Sequence, residues 1–411
     1  MRTAVPAVSS SPLAALDFGA LTSALSALPA DAWLLFDFHR TNPVVARLLG
    51  ADAIGLGTRR LFVLLPRGGR PVALAHRIEQ HTLAGFPGDV RPYTGWRELH
   101  TELRALVAGR TVAMEVSPED AIPYLDRVPH GVVELVESLG GHVTSSAPLV
   151  TQFAARWSAA ELAGHRRAAA ALAEIAGEAL RWAGADSARG AEVREVALQH
   201  RVLDAVARAG LVTDDPPIVA FQENSALPHY EPRAGADRRL EAGHVVLLDL
   251  WAGPAKASVF ADQTWMAFAG RAPDAEVRRV WETVRRARDA VVERLRQRWR
   301  PSATAGGDAG GVTGAELDDV ARGVVREGGY AAYFVHRTGH SIDRDLHGSG
   351  PHLDNFETVD RRELIAGLGF SVEPGIYLPG RFGMRSEINV FLGDAGPEVS
   401  PPAPEQELLL V

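Results

Sequence analysis

The chain has 411 residues, too many for one ordinary hydrophobic core, so two domains of about 150 and 250 residues are expected. Its net charge of -8 argues against nucleic acid or an anionic membrane as the main partner. The sequence contains no cysteine, which excludes disulfides, thiolate nucleophiles and thiolate metal sites, so any metal must be held by oxygen and nitrogen.

The first segment with helical periodicity spans residues 12–28, where we predict an amphipathic helix. Asp17 interrupts the apolar part of this segment, which makes it a poor match to a secretory signal peptide. No stretch of the chain approaches the ~18 apolar residues of a membrane span. We therefore expect a cytoplasmic protein that does not act at a membrane.

From residue 32 onward, strand-like and helix-like segments alternate, which is typical of an α/β domain around a central sheet. The strand-like runs are WLLFDF, RLFVLLP, PVALAH and TVAMEV, and the helix-like runs are RIEQHTLAGF, WRELHTELRALVAG and IPYLDRVPHGVVELVESLG. After HVTSSAPLVTQF a new helix opens with Ser158 and Glu161, the pattern of a capping box. We place the N-terminal domain at residues 1–150, the boundary at 151–157 and the second domain at 158–411.

The second domain is predicted to begin with helices over residues 158–184 and 192–209. An extended segment, PPIVAFQENSALPHY, precedes two strand runs, HVVLLDLWAG and ASVFADQTWMAF, which the turn-like GPAK separates. An Arg-rich helix over 274–299, a Gly-rich segment over 301–311 that we interpret as a mobile loop, and a helix over 313–328 follow. The strand GFSVEPGIYLP and a last hairpin strand, GMRSEINVFL, complete the domain.

Several acidic residues of the second domain lie inside apolar strand patterns, where a carboxylate is costly unless a cation or hydrogen bonds satisfy it. Asp249 follows VVLL, Glu373 lies in FSVEPGIY, and Glu387 lies in MRSEINVF. Asp262 lies on the strand after that of Asp249, and an antiparallel hairpin would bring both carboxylates to one face. With His340 supplying an imidazole, such a site suits Mn²⁺, Co²⁺ or Zn²⁺. Two such ions can hold a hydroxide and polarise a carbonyl, so hydrolysis is the expected chemistry.

The order and the residues of these motifs resemble those of the pita-bread metallopeptidases, the family of aminopeptidase P, prolidase and methionine aminopeptidase. The matching motifs are LLDLW, ADQTW, TGHSI, VEPGIY and RSEINV. Residues 1–150 also resemble the creatinase-type N-terminal domain that aminopeptidase P and prolidase carry. The resemblance therefore implies an α/β N-terminal domain, an α+β pita-bread catalytic domain (the creatinase/aminopeptidase fold) and a homodimer.

The resemblance implies that two divalent ions bind between the acidic residues and the histidine, with Mn²⁺ favoured and Co²⁺ or Zn²⁺ as alternatives. Asp262 and Glu387 would bridge the two ions, and Asp249 would be a terminal ligand of one of them. His340 and Glu373 would bind the other ion. A metal-bridging hydroxide would attack the peptide carbonyl, and Glu373 would carry the proton to the leaving nitrogen.

Further residues outside the ligand set have roles implied by the same resemblance. His229, His336 and His347 would bind the substrate and stabilise the charge that develops in the tetrahedral intermediate. Arg385, two residues before the last glutamate, matches an arginine that orders the metal carboxylates in the aminopeptidase P branch.

The sequence departs from the family pattern at the first two ligands. Asp249 and Asp262 are farther apart than is usual, which we interpret as a longer hairpin turn around Pro254. Trp265 follows Asp-Gln-Thr where the family usually has arginine, and we expect it to reshape a wall of the substrate pocket.

The leading hypothesis is a metallopeptidase of the Xaa-Pro type, either an aminopeptidase or a dipeptidase (prolidase), that cleaves the bond before proline. The alternative is a small-molecule C–N hydrolase or lyase on the same metal-binding scaffold, and Trp265 is the feature that keeps it open. A binding module without catalytic metal is disfavoured because the complete set of five ligands is present.

Overall fold

The computed structural model describes residues 11–50, 54–301 and 311–411, and the chain divides after Ala154 into two compact units. The Gly-rich segment predicted as a mobile loop lies almost wholly outside the described residues. None of the helices in these ranges combines the length and the hydrophobicity that a membrane span requires.

The first unit is built on one mixed sheet with helices. Its strands are β1 (Ala32–Asp37), β2 (Leu61–Pro66), β3 (Val72–His76), β4 (Asp89–Tyr93), β5 (Thr111–Met114) and β6 (His142–Ser145). They lie in the order β4-β3-β2-β1-β5-β6, with antiparallel pairing from β1 through β3 and parallel pairing elsewhere. The helices of this unit include α1 (Phe18–Ser26), α2 (Pro43–Leu49), α3 (Trp96–Val107), α4 (His130–Ser138) and α5 (Ala147–Phe153).

Three helix predictions in the first unit were wrong in extent. RIEQHTLAGF forms only a short 3-10 turn at Gln80–Leu83. The helix predicted from residue 122 begins at His130, directly after Pro129, because proline favours the start of a helix and disrupts its interior. Helix α1 starts at Phe18 because the carboxylate of Asp17 accepts hydrogen bonds from two N–H groups of the first turn.

The second unit combines long helices with three sheets. Its helices include α6 (Ala159–Ala188), α7 (Glu195–Arg208), α8 (Ala275–Arg298) and α9 (Gly314–Glu327). One sheet has the order β16-β9-β8-β7, with β7 (Ile218–Phe221), β8 (Val245–Ala252), β9 (Ala261–Phe268) and β16 (Leu409–Leu410). The capping box that opens α6 is confirmed, since Ser158 and Glu161 bond each other's backbone.

The other two sheets of this unit contain the strands near the chain's end. The strands β10 (Ser341–Ile342), β11 (Gly369–Val372), β14 (Ile388–Gly393) and β15 (Gly396–Ser400) form a sheet in the order β10-β11-β14-β15. The strands β12 (Gly375–Leu378) and β13 (Phe382–Arg385) form a two-stranded sheet. The runs predicted as two continuous strands, GFSVEPGIYLP and GMRSEINVFL, are therefore each divided between two sheets, and β15 follows the strand predicted to be the last.

Helix α6 covers one face of the β8–β9 hairpin, and the other face, here called the polar face, carries acidic residues among apolar ones. Alternate residues of both strands, including Leu248, Leu250 and Ala267, join a core with Ala168 and Leu172 of the helix. Because side chains alternate along a strand, the residues between them face the other way. That second face is where the acidic residues of the hairpin lie.

His165 on α6 is expected to make the stability of the fold depend on pH. It is buried, and its Nδ1 lies 3.0 Å from the carbonyl oxygen of Phe260. Burial lowers the pKa of His165 from 6.5 to about 4, so the unfolded chain takes up a proton in this range while the folded chain does not. We expect this residue alone to reduce the free energy of unfolding by about 3 kcal/mol as the pH falls across that range.

Urea unfolding of His165→Asn, measured at several pH values beside the wild-type protein, checks this prediction. The variant should lose stability less steeply on acidification. Equal slopes for the two proteins would contradict the role of His165.

Candidate metal centre

The β8–β9 hairpin places both predicted aspartates on the polar face of its sheet. Asp249 pairs with Thr264, and Trp251 pairs with Asp262. Since paired residues share a face, the two aspartates are diagonal neighbours on it. Residues 253–260, which include Pro254, connect the strands.

The two predicted glutamates lie where an antiparallel pair of chain segments opens. Val372 pairs with Ile388 on one side of the opening, and Gly375 pairs with Arg385 on the other. Glu373 and Glu387 lie between these pairs, so their N–H groups are free to bond other elements.

The backbone at this opening is bonded to the two other segments that carry ligands. The N–H of Glu373 donates to the carbonyl oxygen of Thr338, at 2.7 Å, in the loop before His340. The N–H of Glu387 donates to the carbonyl oxygen of Thr264, at 3.3 Å, in the hairpin. Main-chain bonds therefore fix the positions of both glutamates relative to the histidine and the aspartates.

His340 presents one ring nitrogen to the acidic residues. Its Nδ1 lies 3.2 Å from the carbonyl oxygen of Ser341, which favours a proton on that nitrogen. Its Nε2 lies 3.3 Å from Oδ2 of Asp262 and 3.6 Å from Oε1 of Glu373. The Nε2 lone pair is thus directed at the carboxylates, where a shared cation would lie.

Arg385 and Thr264 connect the carboxylates that His340 does not reach. The buried guanidinium of Arg385 donates to Asp249 and, over 2.8 Å, to Oγ1 of Thr264. The same Oγ1 lies 3.2 Å from Oδ1 of Asp249 and 2.8 Å from Oε2 of Glu387. Sequence reasoning missed Thr264, although its position two residues after Asp262 places it on the same face of β9.

The crowding of these carboxylates is electrostatically unfavourable without a cation. Burial raises the pKa of Asp249 to about 7 despite the attraction of Arg385. Burial and the neighbouring carboxylates raise the pKa of Glu387 well above its ordinary value. Oε1 of Glu387 is buried, and no described residue donates a hydrogen bond to it.

The donor atoms in the cluster fit a divalent cation. Ligand atoms of Asp262, His340 and Glu387 all lie within 4.8 Å of one another. Carboxylate oxygens with one imidazole are the ligands that Mn²⁺, Co²⁺ or Zn²⁺ accept. Glu373 borders this group through His340, whereas the carboxylate of Asp249 is bonded to Arg385 and Thr264.

His336 is partly buried beside the cluster, and both of its ring nitrogens are engaged. Its Nδ1 lies 2.7 Å from the carbonyl oxygen of Arg337, and its Nε2 lies 2.8 Å from the hydroxyl of Tyr377. Burial lowers the pKa of His336 to about 3, so the ring is neutral. A carbonyl can only accept, so Nδ1 carries the proton and Nε2 accepts the hydrogen bond of Tyr377. Sequence reasoning missed Tyr377, although it is the tyrosine that ends the VEPGIY motif.

His347 and His229 lie in the same neighbourhood. The ring centroid of His347 lies 4.2 Å from that of His340. Without a cation in the site, and against its burial, the hydrogen bond to Asp262 and the charge of Glu373 raise the pKa of His340. The charge of His340 in that protonated state, followed by burial, lowers the pKa of His347 to about 2. His229 is exposed and close enough for its charge to contribute to the lowered pKa values of His336 and His347.

The segment that carries His229 is anchored by a carboxylate that sequence reasoning also missed. Glu195, at the start of α7, is fully buried. Its oxygens accept hydrogen bonds from the N–H of Phe221, the side chain of Asn224, the hydroxyl of Tyr230 and the N–H of Arg238. One buried acid thus fixes both ends of the segment around His229.

The expectation that Trp265 reshapes a wall of the substrate pocket was wrong. Trp265 pairs with Leu248, which faces α6, so its side chain lies on the face of the hairpin opposite to Asp262. Its indole N–H donates to Oε1 of Gln263 over 2.9 Å, and its ring packs against the core under α6.

Residues 163–394 match the model of metallopeptidase family M24. The chain is 28% identical over 348 residues to the "Probable dipeptidase PepE" of Mycobacterium tuberculosis, covering 82% of each chain. It is 30% identical over 223 residues to the "Xaa-Pro dipeptidase" of Pyrococcus furiosus, covering 54% of this chain and 57% of that protein. The crystal structure of dipeptidase PepE from Mycobacterium ulcerans is similar in fold, with a TM-score of 0.74, 24% identity and 96% of each chain covered.

Proposed function

Because the chain belongs to metallopeptidase family M24, we propose that it hydrolyses the peptide bond before a proline, as an Xaa-Pro dipeptidase or aminopeptidase. The match confirms the family resemblance of the motifs, the pita-bread fold and the assignment as a metallopeptidase. A relative named Xaa-Pro dipeptidase supports the choice of substrate.

The observation that carries the proposal is the buried cluster of carboxylates around His340, with one oxygen of Glu387 left without a hydrogen-bond donor among the described residues. Such a cluster is costly to bury as free carboxylates, and bound cations would offset that cost. We propose that two divalent ions, with Mn²⁺ favoured over Co²⁺ or Zn²⁺, bind to the five predicted ligands Asp249, Asp262, His340, Glu373 and Glu387. Bound ions of this kind lower the pKa of a water molecule and polarise the substrate carbonyl.

The chain's own residues position the substrate and move the proton. Glu373, whose Oε1 lies 3.3 Å from the hydroxyl of Ser371, accepts a proton from the attacking water and delivers it to the leaving nitrogen. Arg385 holds Asp249 in place. Exposed His229 and neighbouring His347 contact the substrate as the charge of the tetrahedral intermediate develops.

We assign a positioning role to His336 rather than direct contact with the substrate. Both of its ring nitrogens are engaged by Arg337 and Tyr377. It therefore orients the hydroxyl of Tyr377, which lies on the strand directly after Glu373.

The alternative of a small-molecule hydrolase or lyase rested on Trp265. The position of Trp265 against α6 removes that reason, and we retain the peptidase proposal. We also propose that the enzyme is a cytoplasmic homodimer that acts on peptides, and not on nucleic acid or membranes.

A substrate panel with defined metal content tests the function. Protein stripped with a chelator should be inactive, and added Mn²⁺ should restore cleavage of Xaa-Pro dipeptides or of Xaa-Pro-Xaa tripeptides. We expect a preference of about a hundredfold over the matched Xaa-Ala peptides, because a pocket shaped for the proline ring loses binding energy with alanine. A metal-loaded enzyme that cleaves no Xaa-Pro peptide would refute the proposal, and the relative rates on dipeptides and tripeptides distinguish dipeptidase from aminopeptidase.

A further inference from the structure

Trp251 lies beside the metal ligands without belonging to them. It pairs directly with Asp262 across the hairpin, and it is two residues after Asp249 on β8. Its side chain therefore lies on the polar face, next to the carboxylate of Asp262, with about 5 Å expected between the two Cβ atoms.

Trp251 differs from its neighbours in exposure. The other seven residues of β8 are buried, whereas Trp251 is partly exposed. On the opposite face, Trp265 is packed against the core and its indole N–H bonds Gln263. Part of the Trp251 side chain is thus accessible to solvent beside a cluster of charged groups.

The arrangement of the groups in the site indicates which part of the substrate lies next to Trp251. Nε2 of His340 lies 3.6 Å from Oε1 of Glu373 and 3.3 Å from Oδ2 of Asp262, so the imidazole contacts acids from two different segments of the chain. Trp251 lies on the hairpin beside Asp262. Under the proposed function, on which this step rests, Glu373 serves the leaving nitrogen, and Trp251 lies on the other segment that contacts His340, which is the side left for the residue that contributes the carbonyl.

We propose that Trp251 is a specificity-determining residue that forms an apolar wall for the side chain of the residue before the scissile bond. An indole face favours apolar and ring-bearing side chains, because their contact with it removes apolar surface from water. Glycine at that position of the substrate has no side chain to contact the indole ring and so gains no binding energy from it.

Peptide kinetics with matched tryptophan variants test the proposal. In Trp251→Ala, kcat/KM for Leu-Pro and Phe-Pro substrates should fall about tenfold, the effect of losing one apolar contact, while Gly-Pro substrates change little. Trp265→Phe, on the other face of the same hairpin, should keep the wild-type ratio of Leu-Pro to Gly-Pro. A folded, active Trp251→Ala enzyme with the wild-type ratio would overturn the proposal.

Fluorescence gives a readout that does not require turnover. Co²⁺ added to metal-free protein should quench tryptophan emission, and Trp251→Phe should remove more of that quenching than Trp265→Phe does. Equal losses in the two variants would contradict the placement of Trp251 beside the cations. If the wild-type enzyme cleaves no Xaa-Pro peptide, the proposed function fails, and the quenching result still decides where Trp251 lies.

Discussion

Replacement of Glu387 by glutamine is expected to stabilise the metal-free protein and to lower kcat/KM of the metal-loaded enzyme by about three orders of magnitude, or ~4 kcal/mol. The two effects have one cause. Glu387 is buried among other carboxylates, and its pKa is raised because ionisation there is unfavourable. The amide has the same shape without the charge, and its NH₂ group can donate to the neighbouring acids. We expect a gain of about 2 kcal/mol in the free energy of unfolding without metal.

Thermal or urea unfolding with chelator and with Mn²⁺ measures the first effect, and calorimetry measures metal affinity. Mn²⁺ at a hundred times its Kd should stabilise the wild-type protein by about 2.7 kcal/mol for each ion bound, and this gain should be largely absent in Glu387→Gln. Glu398→Gln is the matched control, because Glu398 is a partly exposed acid paired with Arg166. A Glu387→Gln protein that is less stable without metal, or that keeps the full gain with Mn²⁺, would contradict the assignment.

Removal of the charge at Arg385 is expected to have the opposite effect on the metal-free protein. Arg385 is 3% exposed, donates to Asp249 and Thr264, and lies 3.9 Å from Glu373 and 4.0 Å from Glu387. Arg385→Met removes the positive guanidinium charge and leaves these acids buried. Breaking a buried ion pair in this way costs about 3–5 kcal/mol.

The control for this variant is Arg381→Met, four residues earlier. Arg381 is half-exposed and paired with Glu276, so its loss should cost no more than about 1 kcal/mol. Added Mn²⁺ should recover part of the stability of Arg385→Met, because bound cations offset the same carboxylate charge. Urea denaturation of both variants with and without Mn²⁺ provides the comparison, and similar losses for Arg381 and Arg385 would show that the buried network is not what stabilises the site.

The features that sequence reasoning predicted well are those encoded in short runs. In the sequence, the hairpin with Asp249 and Asp262 is visible as two apolar strands around a turn, and the capping box as two residues at a fixed spacing.

Strand β4 was missed because it is a short edge strand that contains Pro92, which weakens the sequence pattern of a strand. Pro374 and Ser386 lie where the two long strands divide, but the apolar alternation on each side concealed the change of sheet.

The error over Trp265 has a simple physical origin. Side chains alternate along a strand, so residues separated by an odd number of positions face opposite ways. Trp265 is three positions from Asp262, whereas Trp251 is two positions from Asp249. Strand periodicity alone therefore assigns Trp265 to the core and Trp251 to the site. The role of Glu195 could not be predicted from strand periodicity. Its hydrogen-bond donors, such as the N–H groups of Phe221 and Arg238, are distant in the sequence and come close only in the folded structure.

The opening between the paired segments around Glu373 and Glu387 also bears on how this site can be re-engineered. The N–H groups at the opening bond carbonyl oxygens of Thr338 and Thr264, and these bonds do not depend on which side chains the positions carry. We therefore expect the main chain to keep its position when the ligand side chains are replaced. Substituting histidine or asparagine for individual acids would alter the hardness and charge of the donor set while the backbone positions are kept, and we expect the metal preference of the site to change with it.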